Sequence, residues 1–491
     1  MFIPSELYTA AQSRAVDQSA IEAHGLPGTL LMARAARAAF ELLLTVQPNL
    51  TQLQVLCGSG NNGGDGLLVA ILACARGIDT RVLLVDGEPR STDAMKALAQ
   101  ARQCGVSIES FSPGAIAAKG VVVDGMLGTG IQGVVREAYR LAIVELNALD
   151  LPVFALDLPS GIDCDAATVA GVAVRACWTI SFITAKRGLF TGAGAEHAGE
   201  RFADDLDVPA DAYAAAGVAC KVLQLDCELR ALPRRSVTSH KGSFGRCLLV
   251  GGDRGMGGAI VLAAEAALRT GAGLVQVATR AENVAPLLAR VPECLARGVD
   301  HRNALLPLLA EADAIVLGPG LGQEAWGEQM LHACFAAGKP LLLDADALNL
   351  IAASKSTALP SQTVITPHPG EAGRLLKCPG SDVQGNRFVA AQRLAEAYAA
   401  TVVLKGNGSL VQTPSELCVC LAGNPGMASG GMGDVLSGVI GALLAQGMAP
   451  PAAARLGTLL HSHAGDVAAR EIGQAALLAS DLIVPLARLL R

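Results

Sequence analysis

From residue 50 onward the sequence alternates short apolar runs with Ala- and Leu-rich stretches of helical period. Gln52–Cys57, Arg81–Val85, Gly120–Val123 and Pro152–Leu156 read as strands, and each runs into Gly or Asp. Gly66–Arg76 and Glu137–Leu149 read as helices between them; Thr9–Ala23 and Thr29–Leu44 read as two helices ahead. Such alternation predicts right-handed βαβ units around a parallel sheet. A second series starts near Arg246, with strands expected at Cys247–Val250, Leu274–Ala278, Ala314–Leu317, Pro340–Leu343, Thr363–Thr366 and Thr401–Leu404. Ala259–Arg269, Gln384–Ala399 and the region after Asp434 carry helical patterns. Between the series, Leu225–Ser243 contains Pro233 and lacks strong periodicity. The 491 residues allow two to four domains at about 100–200 residues each. The pattern selects two α/β domains, residues 1–228 and 229–491, each a three-layer αβα sandwich.

Composition excludes several functions. Hydrophobic residues make up 51%, charged residues 17% and aromatic residues 3%. The cores must be aliphatic, and disorder is excluded. With 38 basic against 44 acidic residues the net charge is −6. A nucleic-acid binder needs basic excess and stacking aromatics, so nucleic acid is not an expected partner. The longest apolar stretch, Val435–Pro450, is broken by three Gly and Gln446, whereas a membrane helix needs about 18–20 apolar residues. The N-terminus shows neither a basic n-region nor an apolar h-region, so no signal peptide is expected. Thirteen Cys include no C-x-x-C pair. They read as reduced thiols of a cytoplasmic protein. Aliphatic α/β domains of this kind often assemble, so a homo-oligomer is expected.

The first strand runs into Gly58-Ser59-Gly60-Asn61-Asn62-Gly63-Gly64-Asp65-Gly66, which contains G-x-G-x-x-G. Strand before and helix after suit a Rossmann-like phosphate cradle. Asp86 ends the next strand, where a ribose-binding acid would sit. Asn61, Asn62 and Asp65, however, place polar side chains in a loop that a pyrophosphate site keeps bare. Two further strand ends carry Asp124 and Asp157-Leu158-Pro159-Ser160-Gly161. Ligands bind at the carboxyl ends of strands in open α/β sheets, so Asn62, Asp124, Asp157 and Ser160 should converge. Their oxygen donors suit a hard cation.

GSGNNGGDG, VDGMLGTGIQG, LDLPSGID and ITAKRGLFTGAG together resemble the NAD(P)H-hydrate epimerase domain over roughly residues 5–220. The resemblance implies that Asn61, Asn62, Gly63, Gly64 and Asp65 bind the hydrated dinucleotide. Gly128, Thr129, Gly130, Ile131, Gln132, Gly133 and Val134 would lie across it. K⁺ would sit between Asn62, Asp124 and Ser160, and Asp157 would be the acid/base that inverts the hydroxyl-bearing carbon. Asp205-Leu206-Asp207-Val208-Pro209 departs from the family, which usually has Gly at the middle position.

Near the C-terminus, Asn424-Pro425-Gly426-Met427-Ala428-Ser429-Gly430-Gly431-Met432-Gly433-Asp434 precedes a long apolar helix. Several backbone N–H groups at a helix N-terminus form an anion hole for a transferring phosphoryl group. Asp434 stands where it can take a hydroxyl proton. Other strand ends carry Lys405-Gly406-Asn407-Gly408-Ser409, Pro367-His368-Pro369-Gly370-Glu371, Asp344 and Gly318-Pro319-Gly320-Leu321-Gly322. His368, held between two Pro, is expected to contact substrate. His461 and His463, two apart on a helix, read as structural.

HKGSFGRCLLVGGDRGMGGA, GPGLG, DADALN, ITPHPGE, LKGNGS and NPGMASGGMGD resemble the ADP- or ATP-dependent NAD(P)H-hydrate dehydratase, with its ribokinase-like fold, from about residue 236 to the end. That resemblance implies adenine nucleotide at Lys405, Gly406, Asn407, Gly408, Ser409 and Gly433. Hydrate would contact Ala259, Gly320, Gly322, His368 and Asp434. Asp434 would deprotonate the C6 hydroxyl for phosphorylation, after which phosphate is eliminated. Mg²⁺ would accompany ADP or ATP, with Glu371 and Asp344 as candidate ligands. The expected substrates are therefore NADHX, NADPHX and ADP or ATP. Two alternatives share parts of the pattern: a small-alcohol kinase, and a dinucleotide-binding module without turnover.

Overall fold

The computed structural model describes residues 4–131, 133–354 and 358–490. The chain divides into two compact units, Met1–Lys221 and Val222–Arg491. The segment near residue 230 lies just inside the second unit, as short helical turns at Leu225–Glu228 and Leu229–Ala231.

In the first unit, β1 (Glu6–Leu7) precedes helices α1 (Ala10–Glu22) and α2 (Gly28–Val46). Then come β2 (Gln52–Cys57), α3 (Asn61–Ala75), β3 (Asp79–Leu84), α4 (Thr92–Gln103), β4 (Ser107–Ser110), β5 (Val121–Gly125), α5 (Glu137–Ala148), β6 (Val153–Leu156), β7 (Trp178–Phe182), β8 (Glu200–Asp204) and β9 (Cys220–Val222). Seven strands form one parallel sheet in the order β4-β3-β2-β5-β6-β7-β8. Leu53, Val55 and Cys57 of β2 face a cluster with α2, α3 and α4, while Leu56 faces one with Tyr139 and Ile143 of α5. Burial on both faces is why these strands read as unbroken apolar runs. The strand order reverses between β2 and β5, which opens a crevice at their carboxyl ends.

The second unit contains β10 (Arg246–Val250), β11 (Leu274–Thr279), β12 (Leu295–Gly298), β13 (Ala314–Leu317), β14 (Leu341–Leu343), β15 (Thr363–Ile365), β16 (Thr401–Leu404), β17 (Ser409–Gln412) and β18 (Leu417–Cys420). Their order is β12-β11-β10-β13-β14-β15-β16-β17-β18, and only the β16-β17 and β17-β18 pairings within it are antiparallel. The order reverses between β10 and β13, giving a second switch point. The helix Met432–Ala445 is the apolar centre of this unit. A Cβ on Gly438 would stand 2.2 Å from the Ala263 carbonyl oxygen, so glycine there lets two buried helices approach closely.

Two local expectations change. The helix after the first loop starts at Asn61, with Gly63, Gly64 and Gly66 inside it. Their weak helix propensity is overridden by packing: a Cβ on Gly63 would lie 2.0 Å from the Gly58 carbonyl oxygen. Asp207, at the position that departs from the family pattern, has φ 53°, a left-handed conformation that glycine adopts without strain.

Among the described residues no helix is long and apolar enough to cross a membrane.

Candidate active sites

The first-unit site starts at the loop after β2. A Cβ on Gly58 would fall 1.8 Å from the Met126 carbonyl oxygen, whereas one on Gly60 meets nothing within 4 Å. Gly58 thus permits the turn, Gly63 the close packing, and Gly60 leaves its backbone open to a ligand. We expect Gly58→Ala to destabilise the unit by about 1–3 kcal/mol in a denaturation curve. Gly60→Ala should leave stability unchanged and weaken dinucleotide binding. Equal stability of Gly58→Ala and the unaltered protein would contradict this geometry.

A cavity of about 570 Å³ opens over these strand ends. Asn61, Asn62, Asp65, Gly128, Thr129, Gly130, Ile131 and Asp157 line it. Gly63 and Gly64 lie buried beneath, packed on Gly58 and Met32. Gly133 and Val134 are not in its wall, and Val134 is 76% exposed. Gln132 lies outside the described residues.

Under the floor, Asp124 and Ser160 are fully buried. The Ser160 hydroxyl donates to Asp124 Oδ1 at 2.6 Å, and the Ser160 N–H donates to Oδ2 at 2.7 Å. Asn62 Nδ2 donates to the carbonyls of Leu127 and Leu156, at 3.1 and 3.2 Å. Its Oδ1 is buried with no partner among the described residues. An orphaned buried acceptor is costly unless a donor or a cation meets it. Burial pushes the Asp124 carboxyl up to about 6, against the hydrogen bonds from Ser160. Among the described residues no group of three His, Cys, Asp or Glu could hold a metal. The amide, carboxylate and hydroxyl oxygens here are a hard-cation set instead.

Asp157 sits at φ 64°, so the chain turns sharply after β6 and presents its carboxylate to the cavity. Lys186 Nζ lies 2.5 Å from Asp157 Oδ1, and Lys186 is 3% exposed. The ammonium also donates to the Phe182 carbonyl at 2.8 Å. Asp65 and Asp17 of α1 complete the group. Burial and the Asp157 charge raise Asp65 well above the ordinary carboxylate range. Burial pushes Asp17 up to about 6, opposed by Lys186. Carboxyls of raised proton affinity therefore share the cavity with an ion-paired carboxylate, a difference of environment that can separate acid from base.

In the second unit a cavity of about 490 Å³ is lined by Lys405, Gly406, Asn407, Gly408, Ser409 and Gly433, along with other residues. Buried Arg387 shapes its first loop. Its guanidinium donates to the carbonyls of Leu404 and Lys405, at 3.2 and 3.3 Å. Lys405 Nζ pairs with Asp344 Oδ1 at 2.7 Å and lies 3.8 Å from Glu371. Ser437 donates to the other Asp344 oxygen at 2.8 Å. Glu371 accepts from the His368 N–H at 2.8 Å. Asp344 and Glu371 thus hold Lys405 and His368 in place through these bonds.

Gly431, at φ 89°, caps the helix Met432–Ala445, which places Asp434 in its first turn. Burial and the Asp344 charge push Asp434 up to about 7, against the pull of Lys405. Ala259, Gly320, Gly322, His368 and Asp434 do not line the 490 Å³ cavity. Gly320 and Ala259 adjoin each other, since a Cβ on Gly320 would lie 3.3 Å from the Ala259 Cβ. His368 caps the helix Pro369–Leu376, accepting at Nδ1 from the Gly370 N–H at 3.0 Å.

Residues 28–188 match the family model described as YjeF-related protein N-terminus, and residues 247–488 match that described as NAD(P)H-hydrate dehydratase. The bifunctional NAD(P)H-hydrate repair enzyme Nnr of Coxiella burnetii is 43% identical over 97% of this chain and 97% of its own. The chain belongs to the bifunctional NAD(P)H-hydrate repair enzymes. The Escherichia coli K12 member is 41% identical over 99% of this chain and 94% of its own. A ribokinase-like superfamily protein from Enterococcus faecalis V583 aligns with TM-score 0.51 and 33% identity, over 55% of this chain and 94% of that one. The repair-enzyme family thus covers both units, and the match does not favour a small-alcohol kinase fused to a binding module.

Sequence spacing singles out neither Asp17 nor Lys186, which line the first cavity of this repair enzyme, and His461, expected to be structural, lines the second. Lys186 lay inside the quoted ITAKRGLFTGAG segment, where its scarcity beside a strand end was an available signal. Asp17 sits mid-helix and His461 within Pro450–Ile472, where spacing alone does not say which side chain faces a ligand.

Proposed function

We propose that the first unit interconverts the R and S epimers of NADHX and NADPHX, and that the second dehydrates the S form to NADH or NADPH using ADP or ATP. The observation that carries this reading is Asp434. It is a carboxylate of raised proton affinity in the first turn of a buried helix behind a glycine loop, beside Lys405.

The C6 hydroxyl of the hydrate loses its proton to Asp434 as its oxygen attacks the terminal phosphorus. The glycine-loop amides and Lys405 offset the charge on the phosphoryl group. The C6–O bond then breaks with release of phosphate, and loss of a C5 proton restores the ring double bond. Mg²⁺ arrives as the nucleotide complex, so it is part of the substrate.

In the first unit Asp157 takes or returns the proton at the carbon or hydroxyl being inverted, and Lys186, paired with it at 2.5 Å, holds the carboxylate in place. Asn62, Asp124 and Ser160 would hold K⁺. Its charge would offset the burial of Asp124 and occupy the Asn62 oxygen.

Asp434 must be ionised to act as base. Dehydration kcat/KM should therefore rise about tenfold per pH unit toward about pH 7 and level off above it. A flat profile between about pH 5 and pH 8 would remove Asp434 from that role. The function itself is tested by adding ADP or ATP with Mg²⁺ to S-NADHX and assaying products. Inorganic phosphate and NADH should appear together, and accumulation of a stable phosphorylated hydrate would overturn the dehydratase assignment.

A further inference from the structure

His461 lies in the long helix Pro450–Ile472, lines the 490 Å³ cavity, and is 8% exposed. Its Nε2 is buried with no hydrogen-bond partner among the described residues. Hydrogen bonding with the Met432 backbone favours keeping a proton on the ring. Burial lowers its proton affinity to about 4, so the imidazole is neutral near neutral pH. In a neutral imidazole with one nitrogen donating, the other is an acceptor. A buried acceptor left unmatched costs as much as a lost hydrogen bond. A donor from the ligand is the economical match.

The surroundings say which donor. Met427, Ala428, Met432 and Leu436 give the same cavity apolar walls suited to a flat ring. The exocyclic 6-amino group is the only hydrogen-bond donor on the adenine base; its ring nitrogens available for contact are acceptors.

We propose that His461 Nε2 accepts a hydrogen bond from the 6-amino group of the adenine nucleotide and so sets base specificity in the second unit. This rests on the nucleotide-dependent reading above, but its test does not need turnover. ADP and purine riboside 5′-diphosphate, which lacks the amino group, are titrated calorimetrically into the full chain. The unaltered protein should bind the analogue about tenfold more weakly. His461→Leu should weaken ADP binding about tenfold and cause no further loss with the analogue, the coupling expected of a direct pair. His461→Gln, whose side-chain oxygen can accept, should keep most of the preference for ADP. If His461→Leu does not fold, His461→Asn, too short to reach, should show the same collapse. Multiplying losses would overturn the contact, and so would coupling to the 2′- or 3′-deoxy forms of ADP instead, which would move it to the ribose. A preserved coupling in a protein that does not dehydrate hydrates would overturn the dehydratase reading while leaving this contact standing.

Discussion

Asp434→Ala should lower nucleotide-dependent dehydration by about 10²–10⁴-fold, the usual worth of a positioned base. Epimer exchange should continue at the unaltered rate, because the residues assigned to it lie in the other unit. Nucleotide affinity should change little, since Lys405–Ser409 and Gly433 remain. The stability effect separates a base from a structural cap. Asp434 holds its proton more tightly when folded, up to about 7. The folded state therefore binds more protons than the unfolded one between the ordinary Asp range and about pH 7, and this group's contribution falls as pH rises through that window. The variant lacks that loss, so its Tm relative to the unaltered protein should improve as pH increases. A Tm difference that does not change with pH would show a structural role instead.

Asp157→Ala should abolish epimer exchange by a similar factor. In a racemised mixture one epimer would be consumed quickly and the other would persist. This substitution also leaves the Lys186 ammonium, 3% exposed, without its 2.5 Å partner. Breaking a buried pair costs about 3–5 kcal/mol, so the variant should be less stable as well as inactive. Asp157→Asn separates the effects. Asn tolerates the left-handed backbone found there at φ 64°, and its amide oxygen still accepts from Lys186. It should fold near normally and fail to exchange epimers. An active Asp157→Asn would remove the carboxylate from proton transfer.

The parallel sheets were legible because strands buried on both faces must be apolar throughout, as in Val121–Val123 and Ala314–Leu317. The candidate carboxylates Asp124 and Asp157 are legible because strand ends at a switch point are where such sheets bind ligands. Ser107–Ser110 and Leu295–Gly298 were not, since edge strands are partly exposed and carry mixed polarity. The start of α3 at Asn61 was hidden by its glycines, whose packing against Gly58 and Met32 overrides propensity. Lys186 and Asp17 were missed for a different reason. They reach the same cavity as Asp157 from distant parts of the chain, which no local spacing records. Helical spacing shows which residues share a face with His461 and not what occupies the space opposite.

One chain should carry both steps of hydrate repair. The direct test is recovery of dihydronicotinamide absorbance from a mixture of R- and S-NADHX with ADP or ATP and Mg²⁺. Both epimers should be consumed to completion by the unaltered chain. Asp157→Asn should stall after the S form, and Asp434→Ala should recover nothing. Recovery of only one epimer by the unaltered protein, or loss of both activities in either folded variant, would contradict this.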